Sequence, residues 1–324
     1  MKLKINLGNC LRVLPIYLVS CLFLHSTTVY AQDSTAAAKE NAAPVKARPV
    51  KNTFQSVWLI DDQTSMVPIK GTFEFDIQHR FGTVNNGYSD LWGLFASSNI
   101  RLGLAYAPIN NLYIGVGLNK FDELADGSAK YAILKQTPGL YPVSITYYGD
   151  LAYDTRSDKT NSLFKHQTDR LISFNSIIIS RKFGDKLSLQ VSPNISHQNS
   201  VQGYITKHDS TGVTIFEEMK HDQFGISLGG RYKISESTAF IIDYAQPITR
   251  EPTHNPSPNL SFGFEFATSG HTFQIFMGNY SMLNPAKNSF FNTNSPFGYT
   301  QTDGTTYKGG MFVIGFNITR LWNF

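Results

Sequence analysis

Charged residues at alternate positions are the chemistry this sequence most plainly offers. In 71–81, Glu74, Asp76 and Arg80 alternate with Phe73, Phe75, Ile77, His79 and Phe81. On an extended chain, successive side chains point to opposite faces, so the charges share one face and the apolar residues the other. The same parity puts Arg101, Asp150, Arg181, Arg231, Asp243 and Glu265 on the polar face of later runs. Charges of both signs lining a narrow interior could form an ion-selective constriction. They could also neutralise one another, because desolvated charges need partners, and desolvation favours that pairing. Other chemistry is sparse. Cys10 and Cys21 are the sole cysteines, and both fall in the first 31 residues. The histidines show no H-x-x-x-H spacing, and there is no P-loop or strand-to-helix GxGxxG. No metal site and no cofactor are expected.

One segment invites an enzymatic reading. His208-Asp209-Ser210-Thr211-Gly212 resembles part of the His-x-Ser-Asn-Gly motif of outer-membrane phospholipases, twelve-stranded enzymes whose nucleophile and base act at the membrane face. Thr211 stands where that motif has asparagine. The flanking 201–207 and 213–218 read as two small strands, and Asp-Ser-Thr-Gly between strands is ordinary turn chemistry. The turn is the preferred reading, and no catalytic residue is expected.

The elements that position the charged face follow from the same period. Residues 1–31 have the layout of a secretory signal: Lys2, Lys4 and Arg12, then the apolar 13–24, then Val29-Tyr30-Ala31 as a cleavage site. Leu18-Val19-Ser20-Cys21 also fits a lipoprotein box, but apolar residues continue past Cys21, so ordinary cleavage is preferred. Removing the three leader cations from the +4 total leaves the mature chain near +1, which implies no nucleic-acid partner. With 16% charged and 13% aromatic residues and no repeated long apolar runs, the chain is neither disordered nor a helical membrane bundle. Residues 32–53, rich in Ala, Lys and Pro, read as a flexible periplasmic tether. Residues 54–70 read as a docking segment or an irregular entry to the first strand.

Twelve period-two runs follow, at 71–81, 97–107, 112–118, 129–137, 142–153, 171–182, 187–197, 222–233, 238–247, 259–268, 271–280 and 309–324. Those at 129–137 and 171–182 alternate poorly. Five connections look tight (108–111, 138–141, 183–185, 234–237, 268–270). Six look longer (82–96, 121–128, 154–170, 198–221, 248–258, 281–308), and the two kinds alternate. Short turns at one end and long loops at the other mark a transmembrane barrel. The expected fold is all-β: an antiparallel up-and-down transmembrane β-barrel of twelve strands over 71–324, with both termini periplasmic. Trp322 and the terminal Phe324 close the last amphipathic strand in the manner of an assembly signal. The implied partners are outer-membrane lipid and the barrel-assembly machinery.

The first strand, running on into Thr83-Val84-Asn85-Asn86-Gly87, with Ser98-Asn99-Ile100-Arg101-Leu102-Gly103 and Tyr147-Tyr148-Gly149, resembles a family of membrane-bound β-barrel proteins of Gram-negative bacteria labelled a domain of unknown function. The resemblance implies an outer-membrane barrel and carries over no activity. Twelve strands lie between about eight, where side chains fill the interior, and about sixteen, where a wide channel opens. A narrow pore for a small polar solute, a structural or adhesive barrel without a conducting lumen, and a membrane-face lipid hydrolase are the readings left, in that order of preference.

Overall fold

In the computed structural model of the chain, which describes residues 47–160, 162–208, 213–251, 255–300 and 306–323, the period-two runs form one closed sheet. Its strands are β1 (Thr72–Thr83), β2 (Asn99–Ile109), β3 (Leu112–Asn119), β4 (Leu124–Leu134), β5 (Ser144–Asp154), β6 (Leu171–Phe183), β7 (Leu187–Gln198), β8 (Asp222–Lys233), β9 (Thr238–Pro247), β10 (Asn259–Ala267), β11 (His271–Gly278) and β12 (Val313–Asn323). Each pairs antiparallel with the next, and β12 returns to β1, with Ile77 opposite both Leu102 and Ile318. Closure leaves no free sheet edge, which is what a hydrocarbon environment requires of strands.

The faces are inverted relative to a soluble barrel. Outward Leu104, Val116 and Leu118 are 59%, 60% and 65% exposed, whereas inward Gln78, Gln190, Ser196 and Ser261 are all 0% exposed. Apolar side chains outside and amides and hydroxyls inside suit lipid around the wall and polar contacts within. His79, on the outward face, stacks on Phe316 at 5.1 Å between ring centroids.

Most strand bounds lie within about two residues of expectation, and the larger departures are at both ends of β4 and at the start of β12. β4 begins at Leu124, not 129, so the second long connection shrinks to 120–123, with Asp122 and Glu123 both at positive φ. The following connection takes 135–143, with the tight turn held inside it by a Thr137–Tyr141 bridge. The strict long-then-short alternation therefore fails at this pair. The reason is local: the outward positions 125, 127 and 129 are Ala, Gly and Ala, too small to give the strand an apolar signal. The two small strands in 199–221 are present, as Gly203–His208 against Val213–Glu218. The last long loop also holds a short helix, α1 (Pro285–Phe291), capped by the Asn284 side chain accepting from the Lys287 N–H at 3.2 Å. The leader, most of the tether, residues 209–212 with Ser210, and Phe324 lie outside the described residues.

The occluded lumen as candidate functional site

The docking segment enters the lumen. Near its start, the Val50 N–H donates to Gln136 O and Lys182 Nζ donates to Lys51 O, both at the short-turn end. The chain then runs inward, turns back between the paired strands Trp58–Leu59 and Asp62–Gln63, and leaves at Gly71, whose N–H donates to Ala107 O. Its apolar residues pack both ways: Val57 and Trp58 on Ala107 and Tyr113, and Phe54, Leu59 and Ile60 on Ile241 and Phe276. Its polar groups meet the wall. The Ile60 N–H donates to Gln274 Oε1 at 3.1 Å, and Ile60 O accepts from Asn317 Nδ2 at 2.6 Å. Gln190 Nε2 donates to Gln63 O, Lys130 Nζ to Gln63 Oε1 and Thr146 Oγ1 to Ser65 O, while the Ser65 and Ser180 hydroxyls share a hydrogen bond. Ile60 is fully buried at φ +59°, a conformation strained for a β-branched residue and sustained here by its surroundings.

From the opposite end, α1 folds down to meet this hairpin. Asn284 Nδ2 donates to Asp150 Oδ1 at 3.1 Å, Lys287 pairs with Asp122 at 3.0 Å, and Asn288 Nδ2 donates to Asp61 Oδ2 at 2.6 Å. The last bond joins the two closing segments directly. Between them and β6–β10 a cavity of about 30 Å³ remains, room for about one water.

Eight of the nine charged residues assigned to the lumen by parity point into it. Glu74 is 1% exposed. Arg101 bridges Asp76, at 3.1 Å, and Asp126, with which it forms a two-pronged pair (Nε to Oδ2, 3.0 Å). Room for that guanidinium comes from Gly103 and Gly117, which face each other across β2 and β3; a Cβ on Gly117 would collide with it. Arg231 pairs with Glu265 at 2.7 Å, and the other oxygen of Glu265 accepts from Gln274 Nε2. Fully buried Arg80 donates to Asn317 Oδ1 at 2.9 Å and to Ile60 O at 3.4 Å, lies 3.6 Å from Asp61 Oδ1, and sits over the Phe276 ring. Asp150 is bonded to Asn284, and Asp243 accepts the N–H groups of Asp61 and Asp62.

Arg181 is the exception. On β6 the inward residues are Ile172, Phe174, Ser176, Ile178 and Ser180, so Arg181 faces outward, with its guanidinium 4.9 Å from the Phe183 ring. The assignment fails because the inner face of β6 is itself apolar, packed with Leu124, Tyr148, Ala152 and Ala286, which erases the alternation that would reveal parity. Parity does not reach Asp126 and Lys130, on the strand that begins at Leu124 rather than 129, or Asp61 and Gln63, in the hairpin. Asp126-x-Ser128-x-Lys130 alternates against Ala, Gly, Ala and Tyr, a signal that was present but weak. Mutual pairing is largely realised, but not completely. Among the described residues nine carboxylates are buried against five cations, so acids outnumber bases in the interior although the whole chain is +4. Trp322, near the end of β12, stacks under the Arg320 guanidinium at 5.0 Å.

Two solved structures are similar to this chain at low identity. A NanC porin structure is 9% identical over 78% of this chain and 99% of its own, with a TM-score of 0.43. The COG4313 outer membrane channel from Pseudomonas putida F1 is 12% identical over 79% of this chain and 97% of its own, at 0.45. No curated protein matches the sequence. A family model described as a membrane bound beta barrel domain matches residues 54–322, from the first residue of the lumen hairpin through β12. Closed sheet, inverted faces and family match agree, and the chain belongs to the membrane bound beta barrel domain family DUF5777.

Proposed function

We propose that the protein is an outer-membrane channel for small polar solutes, described here in a closed conformation. The observation that carries this reading is how the lumen is shut. It is filled by two chain segments docked from opposite ends, the hairpin in 54–68 and α1, and these meet through the Asn288–Asp61 hydrogen bond. Both segments can leave without breaking a rung of the barrel ladder, and the wall they would uncover carries Gln78, Gln190, Gln274, Asn317 and the paired charges. Placement in the outer membrane, with both termini at the periplasmic short-turn end and outer-membrane lipid and the assembly machinery as partners, belongs to the same reading. A water-sized residual cavity equally suits a structural barrel, so the test must separate the two.

A S65C/S180C variant supplies it. The two hydroxyls are in hydrogen-bond contact, which puts their Cβ atoms in the range a disulfide tolerates. The channel reading expects planar-bilayer conductance that is abolished when this pair is oxidised, restored by reductant, and raised when residues 54–66 are deleted. A deletion variant that remains a closed, heat-modifiable barrel and conducts nothing would establish the structural reading instead.

A further inference from the structure

The cavity between the hairpin tip and α1 leaves several acceptor atoms without partners, although the Ser227 hydroxyl on the same lining is hydrogen-bonded to Asp62. Asp61, Asp62, Asp243 and Asn288 line it. Asp243 Oδ2 is occupied by the N–H groups of Asp61 and Asp62, each at 3.3 Å, and Asp61 Oδ2 by Asn288 Nδ2. Left without a hydrogen-bond partner are Asp61 Oδ1, Asp62 Oδ2, Asp243 Oδ1 and Asn288 Oδ1. All four are acceptors. The Asn288 amide is oriented by its own donors, since Nδ2 also donates to Met282 O at 2.8 Å, so its oxygen is the atom left over. Asp243 and Asn288 are 4% and 1% exposed, too enclosed for bulk water to compensate them. Among the described residues the cation beside the group is Arg80, 3.6 Å from Asp61 Oδ1 and committed to Asn317 and Ile60 O.

What completes such a site must bring several N–H or O–H donors and positive charge in a small volume. Water brings two donors and no charge; a primary ammonium brings three donors and a full charge. The cavity, about 30 Å³, holds a group of that size. Phe174 and Tyr280 line the same space. Among the described residues no three His, Cys, Asp or Glu side chains are disposed to hold a metal ion.

We propose that this acceptor cluster binds the ammonium group of a small primary amine, which names the solute class for the channel reading on which it rests. The occupant sits against Asp61 and Asn288, the two residues that join the closing segments, so binding and closure share the same atoms.

The test is titration calorimetry on the full chain in detergent at pH 8, with methylammonium as the probe and tetramethylammonium and sodium as comparators. Saturable binding of methylammonium, absent for tetramethylammonium, which has no N–H, and at least about tenfold weaker in D243N and D62N is expected, since each variant removes charge from a charge-assisted contact. Asp62 lies on the hairpin rather than on a barrel strand, so D62N reads the site even where D243N fails to fold. No binding, equal binding of sodium or tetramethylammonium, or undiminished binding in the folded variants overturns the proposal. This readout needs no conductance. Failure here leaves the channel reading standing, and a silent hairpin-deleted barrel leaves the amine site standing.

Discussion

Replacing Arg80 with methionine should unlatch the lumen hairpin while sparing the barrel. Arg80 is fully buried, donates to Asn317 and Ile60 O, and is the cation nearest Asp61. Removing one member of a buried ion pair costs about 3–5 kcal/mol, mostly because the partner is left charged and desolvated. Here that partner sits on the hairpin. Withdrawal toward the short-turn end rehydrates Asp61 and also relieves the positive φ of Ile60, a strain of order 1–3 kcal/mol. Most of the cost therefore falls on the docked state alone. At the lower figure of about 3 kcal/mol, the docked-to-withdrawn ratio falls roughly 150-fold. Hydrogen exchange reads this directly. In R80M the amides of Trp58–Gln63 should exchange about two orders of magnitude faster, while β2–β11 keep their protection. Adding D61N should recover part of the loss, because the neutral amide needs no counter-charge. Unchanged exchange at the hairpin, or uniform loss of protection across the barrel, would refute the idea that Arg80 acts as a latch.

Three further outcomes follow from named contacts. G117A should lower stability by about 1–3 kcal/mol in urea-induced unfolding, because the added methyl displaces the Arg101 guanidinium from Asp126; G127A, where a Cβ meets nothing within 4 Å, should be close to neutral. R231Q, which strands buried Glu265, should cost about 3 kcal/mol, whereas R181Q, outward and stacked on Phe183, should cost no more than about 1 kcal/mol; equal losses would contradict the inward–outward distinction. In the 155–170 connection, desolvation pushes the Asp158 carboxyl up, but the N–H groups of Phe164, Leu163 and Ser162 outweigh it and hold the pKa at about 2. A depressed folded value means loop stability that is present above about 3.9, the unfolded value, and is lost as pH falls toward about 2. Protection of the 162–164 amides, corrected for intrinsic exchange, should hold at pH 5, decline from about 4 and be lost near 2, and D158N should show little of this dependence.

The sequence by itself determined the barrel. Runs such as Leu260-Phe262-Phe264-Phe266 alternate because one side meets lipid and the other does not, a local consequence of extended geometry that needs no long-range information. Of the nine charges that parity assigned to the lumen, eight point into it, since side-chain direction on a strand follows from position alone. It failed where the inner face stopped being polar. Ile177-Ile178-Ile179 is apolar on both sides because Ile178 packs in a lumen cluster with Leu124 and Phe174, and so the register of Arg181 was illegible. It failed again where the outer face was too small to read, at Ala125, Gly127 and Ala129. Only the tertiary structure decided what fills the lumen. The apolar residues of 54–60 fit either a docking segment or an irregular strand entry, because their partners are distant in sequence: Ile60 with Gln274 and Asn317, Asp61 with Asn288 and Asp243. These contacts exist because barrel closure brings β9, β11, β12 and α1 around one axis. A periodic pattern records which way each side chain points, and what it meets there is set by the closed sheet.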